Sequence, residues 1–322
     1  MRYYAGIDLG GTNIAAGIVD ETGQIVGRAI VPTGAERGYG AVVRTMAETV
    51  NLAASAAGIK NIDSVGSIGV GVPGAVDLGG ERVVEAPNLA WCDVALSSEL
   101  EALCGKKVTL GNDADCAVLA ETACGAAHGR KSAVMLTLGT GVGGGVIIDG
   151  RIFSGCSLGG IEPGHMTLVH GGEPCSCGNR GCVEMYASAS ALIRRTKRAM
   201  DMHPDSLMWE KSGGGLSIDG KTAFEAAKSG DKWAKCVIDE YISYVASAVS
   251  GLVNIFRPEI VIIGGGIAGQ GDYFIKPLNA AVKSRCYANK LISPPETVAA
   301  ALGNDAGIIG AAMLCMQKED IK

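Results

Sequence analysis

Glycine clusters at the ends of short apolar runs constrain this chain's fold more than any other feature of its sequence. Gly10-Gly11 follows the run at 3–9, Gly71 and Gly74 close the run at 65–72, residues 139–145 follow the run at 133–138, and residues 264–266 follow the run at 259–263. Glycine lets the backbone turn sharply or approach a ligand closely, and open α/β sheets hold ligands at strand ends. Glycine takes 48 of 322 positions, about twice its ordinary share. The glycines keep no three-residue period and prolines number 10, which excludes collagen and proline-rich linkers. An apolar content of 48% against 19% charged residues excludes a disordered chain. The length favours about two domains, each with its own core.

The formal charge of −5 supplies no basic field for nucleic acid. The basic cluster at 194–198 reads as the solvated face of a helix. The longest charge-free apolar stretch, 132–148, is rich in glycine and short of the roughly 20 residues that span a membrane, so it reads as strand, turn and strand. Residues 1–10 read as a strand rather than a signal peptide. Eleven cysteines is an odd number, which argues against a disulfide framework. A cytoplasmic protein with no nucleic-acid or membrane partner is expected.

Residues 3–9, 14–19 and 25–31 read as strands, 40–57 as a helix, and 65–72 as a strand. A strand at 107–110 delivers Gly111-Asn112-Asp113, and a helix follows over 114–126. Shifted by 129 positions, the pattern strand, glycine hairpin, strand, acidic turn at 7–20 falls without gaps on 136–149. A duplicated α/β unit is the economical explanation. The second half holds a glycine- and cysteine-rich stretch at 154–184, helices at 187–202 and up to Phe256, a strand at 259–263, and a closing apolar helix.

Two nucleotide motifs are imitations. Residues 215–222 match the P-loop pattern, but no strand precedes them, and Thr222 with Glu225 reads as a capping box opening a helix. Gly264, Gly266 and Gly269 match the dinucleotide fingerprint, yet no acidic residue lies between Asp272 and Glu296 to hold a ribose. Asp8-Leu9-Gly10-Gly11-Thr12 has better physical content. Two glycines admit phosphate oxygens to backbone amides, the Thr12 hydroxyl adds a donor, and Asp8 can order a metal-bound water.

His165, Cys175, Cys177 and Cys182 form H-x9-C-x-C-x4-C, three thiolates and an imidazole that complete a tetrahedral zinc shell with no open position. The remaining cysteines read as ordinary buried residues. The loop would hold Glu162 and Glu184 at its edges, and rigid carboxylates suit sugar hydroxyls, which offer donors as well as acceptors.

Together, Asp8–Thr12, Asn112-Asp113, residues 138–145, Glu162-Pro163-Gly164-His165 and residues 175–182 resemble the ROK family of sugar kinases, most closely its zinc-containing glucokinases. Segments 87–89, 264–266 and 302–307 are also similar to family segments. The resemblance implies an α/β, actin-like ATPase (ribonuclease H-like) fold. Its two domains, expected at 1–113 with 308–322 and at 114–307, would flank a cleft where ATP and hexose meet. It implies Asp113 as catalytic base, and Asn88, Asn112, Glu162, His165 and Glu184 as hexose ligands. Asp8, Gly10, Gly11, Thr12, Thr140, Gly141, Gly265 and Gly266 would lie on the side of ATP and its Mg2+. The family reading also carries a structural Zn2+ and a homo-oligomer, dimer or tetramer.

The activity implied is ATP-dependent phosphorylation of the 6-hydroxyl of glucose. A kinase for fructose, allose, mannose or an N-acetylated amino sugar is the nearest alternative. Gly111, Asp115, Ile161 and Pro163 depart from common family residues near the sugar. A sugar-responsive regulator is the distant alternative; it would carry an N-terminal helix-turn-helix where this sequence begins its first strand.

Overall fold

The computed structural model describes residues 2–59, 62–156 and 160–319. Residues 1, 60, 61 and 320–322 of the expected first domain, and residues 157–159 of the glycine-rich stretch, lie outside the described residues. The chain divides into two compact units. One takes Met1–Lys131, Gly145–Ile161 and Ala301–Lys322; the other takes Ser132–Gly144 and Glu162–Ala300.

The first sheet contains β1 (Tyr3–Leu9), β2 (Asn13–Asp20), β3 (Ile25–Pro32) and β4 (Val65–Val72). A small antiparallel sheet follows, made of β5 (Ala75–Val76), β6 (Val83–Ala86) and β7 (Trp91–Val94), and β8 (Val108–Asn112) then completes the first sheet. The second sheet contains β9 (Ala133–Leu138), β10 (Val142–Ile148), β11 (Arg151–Ile152), β12 (Ile260–Gly264) and β13 (Glu296–Ala299). Their orders are β3-β2-β1-β4-β8 and β11-β10-β9-β12-β13, which correspond strand for strand. In each, the third strand pairs in parallel with the fourth and the fourth with the fifth. The duplication read at 7–20 and 136–149 therefore extends over two five-stranded sheets.

The helices are α1 (Tyr39–Ala56), α2 (Leu96–Cys104), α3 (Asp113–Cys124), α4 (Glu184–Ala187), α5 (Ala189–Met202), α6 (Met208–Lys211), α7 (Thr222–Lys228), α8 (Lys232–Phe256), α9 (Asp272–Arg285) and α10 (Asp305–Glu319). The helix expected at 187–202 is α5, starting at Ala189 and preceded by the single turn α4. Ser188 is extended, and its hydroxyl caps α5 by accepting the Ala191 N–H at 3.0 Å.

In the first unit α1 presents Val42, Met46, Val50 and Ala53 to a core shared with Ile7, Leu9, Ile14 and Ile18. Each fully buried side chain of this size contributes about 1.5–3 kcal/mol. Helix α10 lies on β1, β4 and α3 at backbone distance. A side chain on Gly6 would strike the Ile308 carbonyl, one on Gly69 that of Ala311, and one on Gly310 that of Cys116. This seat explains why α3 belongs to the first unit, whereas the sequence suggested a division at 113. The C-terminal helix packs along α3 and holds it there.

In the second unit Tyr241 of α8, Phe224 of α7 and Phe274 of α9 are fully buried, with ring centroids 6.0 and 6.1 Å apart around Phe274. The Tyr241 hydroxyl donates to the Ala187 carbonyl at 2.6 Å, so its polar end is satisfied. Among the described residues α8 alone is long and apolar enough to cross a membrane, and most of its apolar stretch is buried, as in a core helix.

Candidate functional site

In the first unit the site begins where β1 ends. Asp8 is half-buried, and the hairpin to β2 is closed by the Gly10 N–H donating to the Asn13 carbonyl at 2.9 Å. Gly11 and Thr12 are exposed at its tip. Thr33, fully buried, clamps the hairpin from below: its hydroxyl donates to the Gly10 carbonyl at 2.6 Å and its N–H to the Thr12 carbonyl at 2.9 Å. Nothing in the local sequence marked Thr33, because its role exists only once β3 has paired with β2.

Asn88, in the single turn Pro87–Leu89, is exposed and stands beside this hairpin. A Cβ on Gly11 would lie 3.7 Å from the Asn88 Cβ. Asn112 caps α3, its Oδ1 accepting the Ala114 N–H at 2.8 Å and that of Asp115 at 3.3 Å. Its Nδ2 donates to the Gly74 carbonyl at 3.2 Å, and its side chain also hydrogen-bonds the Asp113 carboxyl.

Asp113 opens α3 just past the end of β8, and its Oδ1 accepts the Ala114 N–H at 2.8 Å. Its residue surface is exposed, yet the protein packed around its carboxyl raises the pKa above the ordinary range, against the lowering effect of its own amide bonds. Asp8 is pushed up to about 6, first by burial and then by the Asp113 charge, with Arg28 pulling the other way. Burial raises both carboxyls and the Asp113 charge adds to the shift at Asp8, the kind of perturbation that clusters at functional sites.

In the second unit the β9–β10 turn carries exposed Thr140 and half-buried Gly141. Helix starts hold it: the Ala189 N–H donates to the Gly139 carbonyl and the Ser190 hydroxyl to the Thr140 carbonyl, each at 2.8 Å. The Glu184 Oε2 accepts the Val142 N–H at 3.1 Å and fills the space a side chain on Gly141 would need. At the end of β12, Gly265 has φ +79 and lies against the Leu138 carbonyl, a place and conformation that exclude a side chain, while Gly266 faces open space.

Glu162 precedes the turn Pro163–His165, whose Gly164 lies against the Val142 carbonyl. The His165 Nδ1 lies 3.6 Å from the Cys175 sulfur, and the Cys177 and Cys182 sulfurs are 3.7 Å apart. All four donor atoms fall within 4.8 Å of one another. A tetrahedral zinc shell with Zn–S of about 2.3 Å and Zn–N of about 2.0–2.1 Å has S···S and S···N edges of about 3.8 and 3.6 Å. The donors therefore fit a zinc ion. Backbone bonds from Cys175 to Asn179, from Gly181 to Glu173 and from Val183 to Met166 fold the loop around them. No cysteine is paired in a disulfide, and Cys92, Cys156 and Cys236 are exposed, contrary to the expectation that every cysteine outside the loop is buried.

The P-loop imitation at 215–222 follows the short α6 and leads into α7, with no strand before it. Its cap differs from the expected Thr222–Glu225 box. Asp219 Oδ1 accepts the Lys221 and Thr222 N–H groups at 2.9 and 3.0 Å, and the Asp219 N–H donates to the Thr222 hydroxyl at 3.0 Å.

The model of the ROK family matches residues 4–318. The chain belongs to the ROK family. It is 38% identical over 314 residues to a glucokinase of Thermotoga maritima, covering 97% of each chain. A ROK glucokinase of Streptomyces griseus, solved in complex with glucose and AMPPNP, is 33% identical with a TM-score of 0.83, over 98% of this chain and 99% of that one. A ROK hexokinase of Thermus thermophilus is 33% identical with a TM-score of 0.82, over 99% of both chains. The paired β3-β2-β1-β4-β8 and β11-β10-β9-β12-β13 sheets are thus the actin-like ATPase fold of the ROK sugar kinases.

Proposed function

We propose that this ROK protein is an ATP-dependent glucokinase that phosphorylates the 6-hydroxyl of glucose. The observation that carries the reading is the Asp113 carboxyl at the β8–α3 junction, raised in pKa by the protein packed around it. Its relatives of 33–38% identity over nearly the full chain are glucokinases and a hexokinase, which points to glucose as the acceptor.

Asp113 accepts the proton of the attacking hydroxyl, and a raised pKa makes it a better base for that step. Asn88, Asn112, Glu162, His165 and Glu184 bind the hexose hydroxyls. His165 serves two purposes: its Nδ1 faces the cysteine cluster, and its Nε2 remains for a hydroxyl. Gly10, Gly11, Thr12, Thr140, Gly141, Gly265 and Gly266 offer backbone and hydroxyl donors on the nucleotide side. Asp8 serves the Mg2+ of the nucleotide, which when bound neutralises charge on the phosphates. His165, Cys175, Cys177 and Cys182 hold a structural Zn2+. The enzyme works in the cytoplasm as a dimer or tetramer.

The test is ADP release with Mg·ATP across a panel of glucose, fructose, mannose, allose and N-acetylated amino sugars. Glucose should give the highest kcat/KM. Preference for another sugar moves the assignment within the kinase class, and no turnover with any sugar refutes it.

A further inference from the structure

Helix α3 carries two carboxyl groups besides that of Asp113, those of Asp115 and Glu121, and the Glu121 carboxyl lies wholly inside the protein. Glu121 is fully buried, and its oxygens accept three backbone N–H groups from two separate segments. Oε2 takes that of Ala126 at 2.7 Å; Oε1 takes those of Ala301 at 2.9 Å and Leu302 at 2.8 Å. Ala126 belongs to the turn that closes α3. Ala301 and Leu302 begin the segment that feeds α10.

The consequence of this junction is felt at Asp8. Gly307, in the first turn of α10, lies directly against it: a Cβ there would be 2.6 Å from the Asp8 Cγ and Oδ2. The next residue, Ile308, has its carbonyl against Gly6 of β1, so neither element can move without the other. The Arg28–Asp305 ion pair, 2.6 Å long, ties the same turn from outside, but its side chains are 38% and 41% exposed and hold it weakly. The buried anchor of the α10 entry is Glu121.

We propose that Glu121 is a positioning residue for Asp8. By holding residues 301 and 302 it sets where the first turn of α10 stands against the Asp8 carboxyl, and so the geometry with which Asp8 serves the nucleotide. The inference rests on the reading of Asp8 as a nucleotide-side group. Glu121 touches no substrate; it acts through the backbone of 301–307.

The test compares Glu121→Gln with Glu121→Leu, of similar size. Glutamine keeps one acceptor for the Ala301 and Leu302 amides, and leucine keeps none. Leucine should raise KM for Mg·ATP about tenfold and leave KM for glucose within about twofold, with glutamine recovering most of the loss. Titration calorimetry with Mg·AMPPNP, without sugar, should show the same order of affinity. If the leucine protein does not fold, glutamine against wild type decides, through the Mg2+ concentration that half-saturates turnover, which should rise. Equal losses for sugar and nucleotide, or nucleotide affinity unchanged in both variants, would overturn the proposal. Should wild type phosphorylate no hexose, the kinase reading fails, while the calorimetry still tests Glu121.

Discussion

The Glu184 carboxylate accepts the Val142 N–H at 3.1 Å and occupies the place where Gly141 would carry a side chain. A group assigned to the hexose is thereby fastened to a turn assigned to the nucleotide. Gly141→Ala should push this carboxylate aside and raise KM for glucose about tenfold, alongside a smaller rise for ATP. Glu184→Gln keeps the volume and should raise KM for glucose by a similar factor. Steady-state kinetics with each substrate varied in turn checks both; an unchanged glucose KM in Gly141→Ala would contradict the coupling.

Asp8 titrates at about 6 in the native protein against an ordinary 3.8, so the folded state holds its proton more tightly than the unfolded chain does. Stability contributed by that proton is lost as pH rises from about 4 to about 6. Asp8→Asn removes the titration. Well above pH 6 the variant should be more stable than wild type by up to about 3 kcal/mol, with the gap closing toward pH 4. Urea midpoints at several pH values measure it, and a gap independent of pH would show that Asp8 is not its source.

Thr33→Val conserves shape but deletes the hydroxyl that donates to the Gly10 carbonyl. The loss should cost about 1–2 kcal/mol, and KM for ATP should rise several-fold as the hairpin loosens. Thermal unfolding and kinetics report the two effects separately.

The zinc reading predicts one metal ion per chain by elemental analysis, removed by Cys175→Ser. Loss of the ion should raise KM for glucose at least about tenfold and KM for ATP far less, since the loop holds Glu162, His165 and Glu184. A fully active protein without metal would refute the role given to the loop.

Much of this arrangement was legible in the sequence because it depends on local chemistry. Glycines at strand ends, the echo between 7–20 and 136–149, and the close spacing of His165, Cys175, Cys177 and Cys182 all follow from neighbours in the chain. Thr33 and Glu121 carry no such mark. Each acquires its role from segments brought close by folding, 23 residues away for Thr33 and about 180 for Glu121. The cap of α7 went astray for a smaller reason: Asp219 outcompetes Glu225 for Thr222, a contest that spacing alone does not decide. The small β5–β7 sheet, which frames Asn88, has strands of two to four residues, too short for a periodic signal.

The central claim is that Asp113 takes the proton of the attacking hydroxyl. The most direct measurement is kcat for glucose phosphorylation by Asp113→Ala, with folding verified by circular dichroism. Loss of base and positioning together should lower kcat by at least about a thousandfold. Turnover within tenfold of wild type in the folded variant would contradict the assignment.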